Sequence, residues 1–199
     1  MAGRYRIQYD YYKEPQDKKI KFIKTNFSKL VKEILSEVKS EISGAHKLKA
    51  EHILAIIYKE SSGNPFATRY EPAYYKWLLG RITTDNFKYH RSAASRDTEL
   101  TTRSTSYGLM QVMGQTARET GFEGTFVSEL CDPEVGIYWG TLYLAKLVSK
   151  YDTIEEAIAS YNAGSPRRNG AGEFVNQAYV DGVLEAVEFF SKDKTVQEV

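Results

Sequence analysis

The chain holds a single cysteine, Cys131, among 199 residues. One thiol cannot form an intrachain disulfide, so the core alone must hold the fold. Leu130 and Asp132 flank the thiol in no activating pattern, which predicts a buried structural cysteine. Histidine is almost as scarce. His46, His52 and His90 pair with no second ligand at metal-binding spacing, so no metal and no cofactor are expected. An excess of charge is missing too: Lys+Arg 27 against Asp+Glu 26 leaves net +1, with no electrostatic pull toward nucleic acid. No apolar run approaches the roughly 20 residues that cross a bilayer. The opening MAGRYRIQYDYYKEP contains no apolar signal region. The expectation is a protein made in the cytoplasm that relies on a delivery partner, such as a membrane pore, a virion or a secretion machine, if its target lies outside. No segment alternates with period two for long enough to argue for a sheet.

Helical periodicity dominates what is present. Phe27, Leu30, Val31, Ile34, Val38 and Ile42 recur between lysines and glutamates and predict an amphipathic helix over 18–43. Its lysines, Lys18, Lys19, Lys21, Lys24, Lys29 and Lys32, read as a solvated face. A second helix is predicted over 47–60 and ends at the turn residues Ser61-Ser62-Gly63-Asn64-Pro65. It carries Glu60 in its last turn beside an apolar stripe. Residues 66–104 are irregular, with a short helix predicted near 73–80. SYGLMQVMGQTARETG reads as a short helix closed by Gly121. Asp132-Pro133-Glu134 is a strong helix start, with a capping Asp, Pro at the first helical position and an acid in the first turn. The helix that follows, 133–150, is apolar nearly all round and belongs in the middle of a domain. Thr153 and Glu156 form a capping box opening a helix that Gly164 stops. A last helix is predicted over 173–191, with Val175, Tyr179 and Val183 inward. The expected fold is mainly α, with a small hairpin in the 66–105 segment. The expected organisation is an arm and amphipathic helix (1–45), a main domain (46–191) and a short tail (192–199). Fifteen tyrosines suit either a core or a groove that binds sugar.

Three segments draw attention together: Glu60-Ser61-Ser62-Gly63-Asn64-Pro65, then Tyr107-Gly108-Leu109-Met110-Gln111-Val112-Met113, then Ala159-Ser160-Tyr161-Asn162-Ala163-Gly164. In this order, over roughly 50–187, they resemble the soluble lytic transglycosylases and their goose-type lysozyme relatives. The resemblance implies a lysozyme-like, bi-lobed helical domain whose partner is the glycan strand of peptidoglycan. It implies that Glu60 protonates the bond between N-acetylmuramic acid and N-acetylglucosamine. It also implies that Glu60 then draws a proton from the muramic 6-hydroxyl, giving a 1,6-anhydro product. Ser61, Gly108, Met110, Gln111, Tyr161, Asn162 and Tyr179 match substrate-binding positions. Tyr161 is the match expected to hold the acid or the sugar, and Tyr179 the one expected to close the groove.

The sequence departs from the family pattern in two ways. The stretch from Pro65 to Gly108 is long, and Val175 stands where many relatives have Glu. The long stretch carries Glu71, Asp85, Asp97 and Glu99. Glu71, Asp97 or Glu99 would be the second carboxylate if the reaction were hydrolysis by a muramidase. A third reading is a wall-binding or virion structural protein without activity. A general acid needs a raised pKa, and burial beside Ile53, Ile57 and Met110 would supply it.

Overall fold

A computed structural model describes residues 11–81 and 95–192. His90 and Asp85 lie outside the described residues, as do most of the arm and nearly all of the tail. Helix α1 runs Gln16–Glu41 and buries Ile23, Phe27, Val31, Ile34, Leu35 and Val38. These positions lie three, four or one residue apart, so they form one stripe. Ile23, Val31 and Val38 are wholly inaccessible, and burial of such side chains contributes about 1.5–3 kcal/mol each. The stripe packs against α2 (Ala50–Ser61) and α6 (Pro133–Lys150). Of its lysines, Lys18, Lys21, Lys29 and Lys32 are exposed as read, whereas Lys19 and Lys24 are half-buried, and Lys24 Nζ donates to the Phe189 carbonyl at 3.2 Å.

The central helix is α6. Asp132 Oδ1 accepts from the backbone N–H of Glu134 and Val135, at 2.9 and 3.3 Å, and Pro133 follows the cap. Ile137, Leu144, Ala145 and Val148 are buried on its successive faces. Gly140 lets the Met110 side chain settle on α6, because a Cβ there would stand 2.5 Å from Met110 Sδ. Helix α7 (Ile154–Ala163) opens with the Thr153–Glu156 box and stops at Gly164, whose φ is 74°. Helix α8 (Gln177–Ser191) packs along α2.

The structure corrects three expectations. SYGLMQVM is a hairpin. Strand β2 (Thr105–Tyr107) pairs antiparallel with β1 (Thr68–Tyr70) on one side and with β3 (Val112–Met113) on the other. Positive φ at Gly108 (73°) and Gln111 (47°) breaks any helix there, and α5 begins only at Gly114 and runs to Thr120. The small β element expected in the 66–105 segment is present, with β1 inside it and β2 at its end. Val175 faces solvent, at 52 % exposure, because α8 starts at Gln177 and residues 167–175 form a loop joined by an Arg168–Phe174 bridge. Cys131 is only half-buried, although burial still pushes its thiol pKa up. The remaining helices are α3 (Pro72–Leu79) and α4 (Arg96–Arg103), on either side of the segment outside the description.

Candidate active site

Glu60 occupies the last turn of α2. The helix closes at Ser62, which takes a left-handed φ of 53°. Ile53, Ile56 and Ile57, just before Glu60 on α2, are fully buried. The carboxyl is therefore pushed above its ordinary 4.5, chiefly by loss of water. Three groups oppose that push: a hydrogen bond from Tyr179, then the charges of Arg69 and Lys59. Tyr179 comes from the first turn of α8. Its hydroxyl donates to Glu60 Oε1 at 2.6 Å, a short contact typical of a charge-assisted bond. Burial and the Glu60 charge hold the Tyr179 hydroxyl well above 10.0, so it stays a donor.

A cleft of about 290 Å³ opens over the carboxyl. Arg69 and Tyr74 line one part of it. Gln111 and Thr116 line another, and Tyr143, Tyr161 and Asn162 complete it. The Tyr143 and Tyr161 rings lie 5.3 Å apart at 44°, a pair of apolar faces with polar tips that suits a sugar ring. Of the described residues lining the cleft, Glu60 is the one carboxylate and Arg69 the one cation.

The residues anticipated as substrate contacts divide. Gln111, Tyr161 and Asn162 reach the cleft. The Gln111 amide is already engaged: Nε2 donates to the Ala67 and Gly108 carbonyls at 2.8 and 2.9 Å, and Oε1 accepts from Ser106 at 3.1 Å. Tyr161 does not hold the acid. Its hydroxyl donates to the Met110 carbonyl at 2.9 Å and braces the hairpin. Tyr179, expected to close the groove, is thus the tyrosine that meets the Glu60 carboxyl, because α8 packs along α2. Asn162 Oδ1 accepts from Asn176 at 3.0 Å.

Three of the anticipated contacts face the protein instead. Ser61 is buried and donates to the Ile57 and Leu109 carbonyls, at 3.1 and 2.8 Å, tying α2 to the hairpin. Met110 has no exposed surface and packs on α6 beneath the cleft. Gly108 permits close approach to protein and not to sugar, because a Cβ there would meet the Leu130 carbonyl oxygen at 2.2 Å.

None of the proposed second carboxylates lines the cleft. Glu71 pairs with Arg69. Asp97 is exposed in the first turn of α4. Glu99 is 1 % exposed, and its Oε1 accepts from Arg103 and Arg118 at 2.9 and 3.1 Å. A carboxylate held by two guanidiniums in the interior cannot serve a water in the cleft.

Sequence reasoning did not single out Arg69, Tyr74 or Tyr143 as site residues. Arg69 stood beside the motif, two positions from Glu71. Tyr143 carried no signal, because it falls within an α6 sequence that reads as core. The Transglycosylase SLT domain matches residues 38–177, a stretch that includes Glu60, Gln111 and Tyr161 and ends just before Tyr179.

Proposed function

Since the chain belongs to the transglycosylase SLT domain family, we propose that Glu60 is the acid and then the base of its reaction. Members of that family are lytic transglycosylases acting on the glycosidic bonds of peptidoglycan, and this chain is such an enzyme. In the proposed mechanism the protonated Glu60 carboxyl gives its proton to the oxygen between C1 of N-acetylmuramic acid and C4 of N-acetylglucosamine. The C1–O bond breaks and its electron pair stays on the leaving oxygen. The muramic 6-hydroxyl then attacks C1 and surrenders its proton to the Glu60 carboxylate. The product is a 1,6-anhydro ring, no water is consumed, and Glu60 ends protonated as it began.

A single carboxyl therefore has to work in both protonation states, and its two neighbours suit that cycle. Loss of water favours the acid form. The Tyr179 hydroxyl stabilises the anion that follows the first proton transfer. The carrying observation is the half-buried Glu60, its pKa raised by loss of water, in a cleft that no other described carboxylate lines. An inverting hydrolase requires a second carboxylate roughly 6.5–9.5 Å away, and the engagement of Glu71 and Glu99 by arginines speaks against it. Delivery to the wall by a pore, a virion or a secretion machine belongs to the same proposal. Among the described residues no helix is long and apolar enough to cross a membrane.

Two measurements test this reading. Purified sacculi digested with the enzyme should release muropeptides one water lighter than reducing-end products. Glu60→Gln should abolish that release. Reducing ends alone, or a fully active Glu60→Gln, would refute it.

A further inference from the structure

A neutral glycan does not call for a fixed cation, yet Arg69 lines the cleft. It sits in β1, an edge strand of the small sheet. Its Nε donates to Glu71 Oε1, which holds the planar guanidinium in one orientation and occupies one of its five donors. The side chain remains 68 % exposed. No protein acceptor engages its Nη groups among the described residues, so they are open to a ligand. A guanidinium presents paired N–H groups that match a carboxylate.

The chemistry of the substrate says which carboxylate that is. N-acetylmuramic acid and N-acetylglucosamine in a strand carry no charge on their rings. The anionic groups of peptidoglycan lie on the stem peptide, which hangs from the lactyl ether of the muramic residue. That residue is the one whose C1 must sit over Glu60. Glu60 and Arg69 line one cleft, so a strand bound for reaction brings a stem peptide to the cleft that holds the guanidinium.

We propose that Arg69, oriented by Glu71, binds a carboxylate of the stem peptide and makes the enzyme favour strands whose peptide carboxylates are charged over strands in which they are neutralised. The inference rests on the glycosidic reading above. Its charge also opposes the raised pKa of Glu60, an effect that acts on every substrate equally. The test is therefore a ratio. kcat/KM is measured for wild type and Arg69→Gln on glycan strands bearing stem peptides and on the same strands with their peptide carboxylates converted to neutral methylamides, because amidase-stripped strands would carry a free lactyl carboxylate on every muramic residue.

The ratio of the two values should fall about tenfold in Arg69→Gln, as expected for loss of one charge-assisted contact. Arg69→Lys keeps the charge without the fork and should retain part of the preference. A ratio unchanged by Arg69→Gln overturns this inference alone, since it would show that Arg69 acts only through Glu60 or the glycan. Wild-type enzyme that cleaves neither strand overturns the function reading and this inference with it.

Discussion

Glu99→Gln separates the two ways a carboxylate near this cleft can matter. The substitution keeps the volume and one acceptor oxygen but removes the negative charge that Arg103 and Arg118 share. Those guanidinium side chains are only 8 % and 2 % exposed. Breaking a buried ion pair from one side costs about 3–5 kcal/mol, because the remaining charge is left uncompensated. For a chain of this size each kcal/mol lowers Tm by about 2–4 °C. The expected fall is therefore roughly 6–20 °C by calorimetry. Activity should survive. Thr116 lines the cleft from α5, and Arg118 stands two residues on, so the Glu99 cluster lies on another face of that helix. Assayed well below its transition, the variant should release anhydro-muropeptides within about twofold of wild type, the scatter expected where no cleft contact is lost. An unchanged Tm together with abolished cleavage would refute this reasoning and reinstate Glu99 as a water-activating base.

Other substitutions probe the acid and its supports. Tyr179→Phe removes the donor that favours the Glu60 anion, so the Glu60 pKa should rise further and the pH–rate limb reporting loss of its proton should move to higher pH. kcat should fall about 10- to 100-fold, the equivalent of a hydrogen bond to a charged group, and an unmoved limb would deny the contact. Glu60 should also register in stability. A carboxyl whose folded pKa is raised contributes stability below its ordinary 4.5 and loses it as pH rises through the folded value. Glu60→Gln should therefore melt higher than wild type at pH 7, with the difference closing toward pH 4.5, and thermal melts across that range check it. Gly108→Ala forces a Cβ against the Leu130 carbonyl oxygen at a φ of 73°. Denaturant melts should show a loss of about 2–5 kcal/mol from the left-handed backbone and the clash together.

The helices were legible wherever burial repeats with helical period or a cap announces a start. The stripe from Phe27 to Val38, the Asp132-Pro133 start and the Thr153–Glu156 box all stand where the pattern placed them, because these are local rules that neighbours along the chain can satisfy. Glu60 was legible through order: three short motifs in series carried more information than any one of them. What misled was the stretch from Ser106 to Met113. Its apolar residues look helical, and only the pairing of β2 with β1, nearly forty residues upstream, turns it into a strand and a turn. Val175 failed for the same kind of reason, since the Arg168–Phe174 bridge that delays α8 is invisible in periodicity.

The sequence by itself determined a helical domain, its central helix and the placing of a carboxyl, Glu60, at the end of α2. It also marked Gly164 as the residue that stops α7. Tertiary structure decided which groups meet that acid. It set Tyr179 on Glu60 and Tyr161 on the hairpin. It sent Ser61 and Met110 into the core, locked Glu99 between two arginines and turned Arg69 to the cleft. Residues far apart in the chain are brought together by helix packing, and a hydrogen bond depends on positions fixed to tenths of an ångström. Spacing along a single chain carries no record of that.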